Sequence, residues 1–130
     1  ATLAAARARC EEAGVAFEAE RVGWNDRLGF PPETAFGCHR VVLEAVANAL
    51  RHSGAKHLKV SLVAADGQAR IVVADDGAGF AVSSKPPEGH YGIRGMRERA
   101  QRLGAGFAIH SAPGQGTSVE LSLNLGGGNE

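Results

Sequence analysis

Strand-like segments come in adjacent pairs along this chain, and each pair follows a helix-like segment. A short glycine-containing turn joins the members of each pair, which favours an antiparallel hairpin. The two pairs are 58–64 with 69–74 and 107–111 with 117–123. A doubly wound parallel sheet needs strands that alternate singly with helices, and this alternation is absent. The order predicts instead an α+β two-layer sandwich, with helices on one face of a mixed, mostly antiparallel sheet.

One further strand and three helices complete the predicted domain. The helical patterns cover 2–13, 33–52 and 93–103, and the strand covers 15–22. With 130 residues, the chain has room for one hydrophobic core but not for two. We expect one domain over residues 1–125 and a disordered tail over 126–130. Because the sequence starts at Ala1 without a methionine or a signal-peptide pattern, we expect a piece of a larger protein.

The composition narrows the classes of partner. Basic and acidic residues number 14 each, so net charge gives no argument for nucleic acid or for a membrane surface. Aromatic residues are few and scattered, and no apolar run approaches the roughly 20 residues of a membrane span. We therefore expect no nucleic-acid partner and no membrane contact by this chain. Cys10 and Cys38 lack a metal-binding spacing and are interpreted as reduced, inert thiols of a cytoplasmic domain.

One face of the long helix is polar. Glu44, Asn48 and His52 repeat every four residues, and Arg40 and Arg51 fall within the same sector of roughly 120°. Such a sector is usually a solvated face, but a carboxylate, a carboxamide and an imidazole together can also form a magnesium and phosphate surface. The helix pattern alone leaves both interpretations open. The opposite, apolar face is expected to be buried and carries Phe36, Val42, Leu43, Val46, Ala49 and Leu50.

The remaining histidines show no metal-ligand pattern. His39 falls within the apolar arc of the long helix and is expected to be a buried or half-buried packing residue. His57 and His110 have no partner pattern, so we expect them on the surface or in turns.

Three glycine-containing motifs lie outside the long helix, at 75–80, 89–93 and 114–117. The first follows a strand, where a carboxylate can accept a hydrogen bond from an exocyclic amine and glycines let the backbone approach a flat ring. The second opens a helix, whose free N–H groups can hold phosphate oxygens. Each motif also has an ordinary structural interpretation, as an Asp-Gly turn, a glycine-rich helix start and a hairpin turn.

Taken in order, these motifs resemble the N, G1, G2 and G3 boxes of the GHKL ATPases, the superfamily of gyrase B, Hsp90, sensor histidine kinases and MutL. They read Glu44-x-x-x-Asn48-x-x-x-His52, Asp75-x-Gly77-x-Gly79-Phe80, Gly92-Ile93-x-x-Met96 and Gly114-x-Gly116-Thr117. Segments 40–52 and 90–100 resemble the catalytic domain of sensor histidine kinases, and more narrowly the nitrate/nitrite-sensor subfamily. The second box departs from relatives with Gly-x-Gly-Leu, because this chain has His90-Tyr91-Gly92-Ile93.

The resemblance implies a Bergerat ATP-binding sandwich that takes ATP with Mg²⁺. At its adenine end, Asp75 would accept a hydrogen bond from the adenine amino group, helped by a water that Thr117 also holds. Gly77 and Gly79 would give the adenine ring its space. Residues 80–91 would form the mobile lid.

At the phosphate end, the resemblance implies that Asn48 coordinates Mg²⁺. Glu44 would help to orient the metal shell or act as the base in phosphoryl transfer. Arg51 and His52 would neutralise phosphate charge. The helix that meets the phosphates would start at Gly92 and carry the other residues of the second box, Ile93 and Met96.

The implied enzyme is a protein histidine kinase, which transfers the γ-phosphoryl group of ATP to a histidine on an upstream dimerisation domain absent from this chain. The subfamily implies a LuxR-type response regulator as an indirect partner. One alternative is an anti-sigma-factor serine kinase or binding module of the same superfamily. Another is a degenerate nucleotide-binding domain that serves as an interaction scaffold.

Overall fold

The computed structural model describes residues 2–24, 28–52, 54–79 and 92–125. Within these ranges the elements follow the predicted order, and each boundary lies within about one residue of its predicted place. They are α1 (Thr2–Ala13), β1 (Ala16–Val22), α2 (Pro32–His52), β2 (His57–Ala65), β3 (Gln68–Asp75), α3 (Gly92–Leu103), β4 (Gly106–Ser111) and β5 (Thr117–Asn124). The predicted lid at 80–91 and the predicted tail at 126–130 lie outside the described residues.

The described strands form one sheet in the order β1-β2-β3-β5-β4. β1 and β2 are parallel because α2 crosses over between them, and the other neighbouring pairs are antiparallel. The β2–β3 hairpin closes where Ala65 pairs with Gln68, and φ is positive at both turn residues, 53° at Asp66 and 76° at Gly67. Positive φ at both positions defines a type I′ turn, for which Asp-Gly is a favoured sequence. The predicted mixed, mostly antiparallel sheet is confirmed.

Helices cover one face of this sheet. Alternate residues of the three central strands are buried beneath them, namely Leu58, Val60, Leu62, Ala69, Ile71, Val73, Val119, Leu121 and Leu123. The intervening residues face the open side, where Arg70 forms an ion pair with Glu120 and Lys59 lies near Glu18 and Glu20. The architecture is therefore the two-layer sandwich that the sequence predicts.

The apolar face predicted for α2 is partly confirmed: Val42, Val46 and Ala49 are buried and Leu43 and Leu50 are half-buried, whereas Phe36 is exposed. Phe36 is 57% exposed, because it lies about 120° around the helix from the fully buried Val42 and so falls beside the polar sector. The guanidinium of Arg40 is 5.9 Å from the centre of its ring. His39 is half-buried, as predicted, and its Nδ1 lies 2.9 Å from Thr2 Oγ1.

Both cysteines are buried and form no disulfide. Burial raises the pKa of the Cys38 thiol to about 11. Burial, together with the charge of Glu11, also raises the pKa of Cys10. A thiol held protonated is a weak nucleophile, so these environments agree with the predicted inert thiols.

Candidate functional site

Asp75 and Thr117 lie opposite each other, where β3 ends and β5 begins. Each is two residues from a buried strand residue, Val73 and Val119 respectively, so both sit on the helix-facing side of the sheet. The Asp75 carboxylate accepts a hydrogen bond from the Gly77 N–H at 2.8 Å, which helps to orient it. The sheet thus brings together two predicted adenine-site residues that are distant in sequence.

Ser111 belongs to this end of the sheet and was not among the predicted site residues. It pairs with Thr117 across the β4–β5 ladder, and the two side-chain hydroxyl oxygens lie 2.8 Å apart. Its hydroxyl also lies 3.0 Å from the Gly116 carbonyl oxygen, to which it donates. Ser111 therefore orients the hydroxyl of Thr117. The sequence carried one signal for the role of Ser111, since Ser111 and Thr117 directly flank the β4–β5 turn.

Gly79 and Gly116 bring the loop after β3 against the turn before β5. At Gly79 φ is 67°, and a Cβ atom would lie 2.1 Å from the Ala112 carbonyl oxygen. At Gly116 φ is 77°, and a Cβ atom would lie 2.1 Å from the Asp75 carbonyl oxygen. Glycine is thus required by backbone contact as well as by conformation. The space that Gly77 and Gly79 would give an adenine ring remains a prediction.

Asp76 fixes the start of β2 to the end of β3. Its Oδ1 accepts hydrogen bonds from the backbone N–H groups of Lys56 at 2.8 Å and His57 at 2.9 Å, and its Oδ2 lies 2.7 Å from His57 Nδ1. The His57 backbone donor, the His57 ring and the Lys56 donor together lower the pKa of Asp76 to about 2. His57 is exposed, as predicted, but it has a partner that the sequence pattern did not indicate.

Glu44, Asn48 and His52 form the polar stripe of α2, and Arg51 connects the first two of these side chains. Nη2 of Arg51 donates to Glu44 Oε2 at 3.2 Å and to Asn48 Oδ1 at 3.0 Å. The side chains of Arg51 and Glu44 are 56% and 39% exposed. A carboxylate oxygen and a carboxamide oxygen are therefore presented together at the helix surface, held by one guanidinium. The side chain of His52, the last member of the predicted stripe, lies outside the described residues.

The chemistry of these oxygen donors fits Mg²⁺. Magnesium prefers hard oxygen ligands and, at nucleotide sites, takes only one or two of them from the protein, since phosphates and waters complete its shell. Asn48 and Glu44 offer such oxygens. No cluster of three or more His, Cys, Asp and Glu side chains that could hold a metal occurs in the described part of the chain.

Ile93 and Met96 anchor α3 and are buried in the core, at 6% and 2% exposure. A cleft of about 120 Å³ separates α3 from α2 and is lined by Arg40, Val41, Glu44, Gly95, Met96 and Arg99. One acidic and two basic residues thus line this cleft, close to the start of α3 at Gly92. The N-terminus of α3 adds the partial positive charge of its free N–H groups to this region.

A larger cleft of about 620 Å³ adjoins Asp75 and Thr117 at the end of the sheet. Its wall also includes Ala74, His110 and Ser118, which the strand registers place in one row on the open face. The cleft therefore reaches around the end of the sheet onto the face that the helices leave open.

Comparison with known proteins connects this geometry to a family. A family model described as "Histidine kinase-, DNA gyrase B-, and HSP90-like ATPase" matches residues 34–127. The nitrate/nitrite sensor protein NarQ of Escherichia coli K12 is 41% identical to this chain over 92 residues, which are 70% of this chain and 16% of NarQ. The sensor protein VraS of Staphylococcus aureus strain COL is 41% identical over 86 residues, which are 66% of this chain and 24% of VraS.

Solved structures agree on the architecture. The histidine kinase domain of the blue-light activated histidine kinase EL346 from Erythrobacter litoralis is 26% identical and superposes with a TM-score of 0.75. The match covers 95% of this chain and 57% of that chain. This chain spans less than a quarter of the length of the sensor proteins it matches. None of the helices in the described ranges is long and apolar enough to span a bilayer.

Proposed function

The chain belongs to the family of histidine kinase-, DNA gyrase B- and HSP90-like ATPases, and from this premise we propose that it is the Mg-ATP-binding catalytic domain of a two-component sensor histidine kinase. It transfers the γ-phosphoryl group of ATP to a histidine on a dimerisation domain outside this chain. The observation that carries the proposal is the Asp75–Thr117 pair, which lies at the strand ends beside glycine-lined loops. The likeness to the histidine kinase domain of EL346, at 26% identity, supports the kinase activity.

At the adenine end of the proposed site, the Asp75 carboxylate accepts a hydrogen bond from the adenine amino group. Thr117 holds a water that also reaches the ring, and Ser111 orients the Thr117 hydroxyl. Gly77 and Gly79 leave room for the ring beside the backbone. These roles are supported by the position of both polar side chains on the helix-facing side of adjacent strands.

At the phosphate end, Asn48 holds Mg²⁺ through its carboxamide oxygen. Glu44 orients the metal shell or accepts the proton of the attacking group, and Arg51 and His52 neutralise phosphate charge. When bound, Mg²⁺ supplies charge neutralisation to the phosphate oxygens of the nucleotide. α3 supports these contacts: its start at Gly92 faces the phosphates, and the buried Ile93 and Met96 fix its position against the core.

Two partners follow from the proposed reaction. The first is a dimerisation domain of the same kinase, which carries the phosphoacceptor histidine. The second is a response regulator of the LuxR type, which receives the phosphoryl group from that histidine. The alternative of an anti-sigma-factor serine kinase is not favoured, since the curated relatives are sensor proteins.

Isothermal titration calorimetry with ATP and ADP in the presence of Mg²⁺ tests the nucleotide site. We expect Asp75→Asn to weaken nucleotide affinity about tenfold to thirtyfold, because a charge-assisted hydrogen bond becomes a neutral one. Asp66→Asn is the matched control: it makes the same chemical change at the far end of β3, in a turn that tolerates asparagine. If the wild-type chain binds neither nucleotide, the proposal fails.

The kinase activity needs a separate experiment. The chain is mixed with a dimerisation domain of a NarQ-like kinase and with ATP labelled at the γ-phosphate. We expect acid-labile, base-stable label on the added domain, as phosphohistidine gives, and less label with Asp75→Asn. Nucleotide binding without any transfer to histidine would support the interaction-scaffold alternative instead.

A further inference from the structure

A further cavity lies over the middle of β2 and β3, away from the Asp75–Thr117 pair. Its volume is about 250 Å³, and it is a half-open cleft between the sheet and the first turns of α2. The floor is formed by Leu62 and Ile71, which are neighbours across the β2–β3 ladder, and the roof by Cys38 and Val42 of α2. All four are at most 8% exposed. This cavity shares no lining residue with the proposed nucleotide site.

Aromatic rings form one wall of the cavity. Trp24 and Phe30 both line it, and their ring centres lie 5.6 Å apart at a tilt of 37°. An engineered apolar cavity of about 150 Å³ in another protein stays dry and binds benzene. A cavity of 250 Å³ with such a lining therefore has room for a six-membered ring with a small polar substituent.

The polar groups of the cavity are mostly hydrogen-bond donors or cations. Arg21 lines it, and the β1–β2 register pairs Arg21 with the buried Leu62, so this exposed arginine lies on the helix-facing side of an edge strand, at the rim of the cavity. Acidic residues of β1, Glu18 and Glu20, alternate onto the open face near Lys59 instead. Among the described residues, no carboxylate forms an ion pair with Arg21.

Two further polar side chains line the cavity on the helix side. Thr2 and His39 are linked at 2.9 Å between the hydroxyl and Nδ1, and both contribute to the lining. The first turns of α2 also direct the positive end of the helix dipole towards this region. The cavity therefore combines buried apolar side chains with a guanidinium that forms no ion pair with any carboxylate in the described ranges, and this combination favours a small anion with an apolar body.

We propose that the cavity bounded by Arg21, Trp24, Phe30, Cys38 and Ile71 binds a small aromatic carboxylate, with its ring against the aromatic wall and its carboxylate on Arg21. Burial of the ring supplies the affinity, and the guanidinium supplies the preference for an anion. The site does not depend on nucleotide binding, because it lies apart from Asp75, Thr117 and the polar stripe of α2.

Methyl NMR of the whole chain tests this proposal, with benzoate as the probe and benzamide as its neutral isostere. The sequence has three isoleucines, and Ile71 lines the cavity while Ile93 and Ile109 do not. A ligand of about nine non-hydrogen atoms at ordinary efficiency binds with a dissociation constant on the order of 1 mM. We expect benzoate to shift the Ile71 methyl resonance saturably and to leave the other two in place.

The same titrations measure how much the negative charge of benzoate contributes to its affinity. Benzamide should bind about fivefold to tenfold more weakly than benzoate, and Arg21→Gln should remove this difference. Cys38→Met, which extends a flexible side chain into the cavity, should abolish the Ile71 shift while Ile93 and Ile109 keep native positions. The proposal is overturned if benzoate leaves Ile71 unmoved up to about 10 mM, if it moves Ile93 or Ile109 instead, or if Arg21→Gln retains the preference for benzoate.

Discussion

Two glycines of one turn give a controlled test of the contact that fixes Asp75. Gly114 and Gly116 have nearly the same φ, 79° and 77°. A Cβ atom at Gly114 would meet nothing within 4 Å, whereas at Gly116 it would lie 2.1 Å from the Asp75 carbonyl oxygen and 3.2 Å from Asp76 Cα. Alanine therefore brings the same conformational strain to both positions and a backbone clash to only one.

The expected costs follow from these contacts. A left-handed conformation costs alanine about 1–2 kcal/mol, partly offset because alanine also restricts the unfolded chain by about 0.5 kcal/mol. We therefore expect Gly114→Ala to lower the free energy of unfolding by about 1 kcal/mol. Gly116→Ala should lower it by about 3 kcal/mol, since relieving the clash requires β3 to move and overpacking of this kind adds about 1–3 kcal/mol.

Urea denaturation followed by circular dichroism measures both free energies of unfolding, and an unchanged m-value shows that the variants unfold in the same transition. Nucleotide titration of the same samples adds a second comparison, because displacement of the Asp75 backbone should weaken nucleotide binding only in Gly116→Ala. If the two variants are destabilised within about 0.5 kcal/mol of each other, the close contact between Gly116 and Asp75 is not present in solution.

Three further predictions concern titration, reactivity and metal binding. The pKa of Asp76 is lowered to about 2, so the ionised carboxylate contributes fully to stability above about pH 4, and this contribution is lost as pH falls towards 2. In acid titrations, Asp76→Asn should therefore lose less stability than the wild type over that window. Parallel curves for the two proteins would contradict this. Cys10 and Cys38 should not react with Ellman's reagent at pH 8 until urea unfolds the chain, and rapid native labelling would contradict their burial. Asn48→Ala should remove most of the Mg²⁺-dependent gain in ATP affinity measured by calorimetry, whereas Asn124→Ala at the far end of β5 should retain it.

Local patterns were sufficient to predict the elements but not their arrangement in the sheet. Asp66-Gly67 specifies a tight turn by itself, and strand alternation fixes which residues of β2 and β3 face the core. By contrast, the pairing of β3 with β5, and hence the meeting of Asp75 with Thr117, joins segments separated by α3 and β4. Such a pairing depends on packing between distant segments, which no local pattern encodes.

The missed contact between His57 and Asp76 was accessible from the sequence. Once the turn sets Ala65 opposite Gln68, counting outward along the hairpin brings His57 opposite Asp76. The error at Phe36 has a different origin. A broad apolar arc was taken as uniformly buried, although burial on α2 is confined to the sector around Val42, and only the packed structure shows where that sector ends.

The two ends of the proposed nucleotide site are held by different means. Asp75 and Thr117 are held by the strand ladder and by close glycine contacts, an arrangement that favours a preorganised adenine end. At the phosphate end, Asn48 and Glu44 are held by Arg51, a long side chain that is 56% exposed and easily rearranged. This guanidinium donates to the carboxamide oxygen that would hold Mg²⁺ in the proposed site. Phosphate oxygens compete for Arg51, so a nucleotide that draws Arg51 away also frees Asn48 for the metal, and binding of phosphate and metal should be coupled through this one side chain.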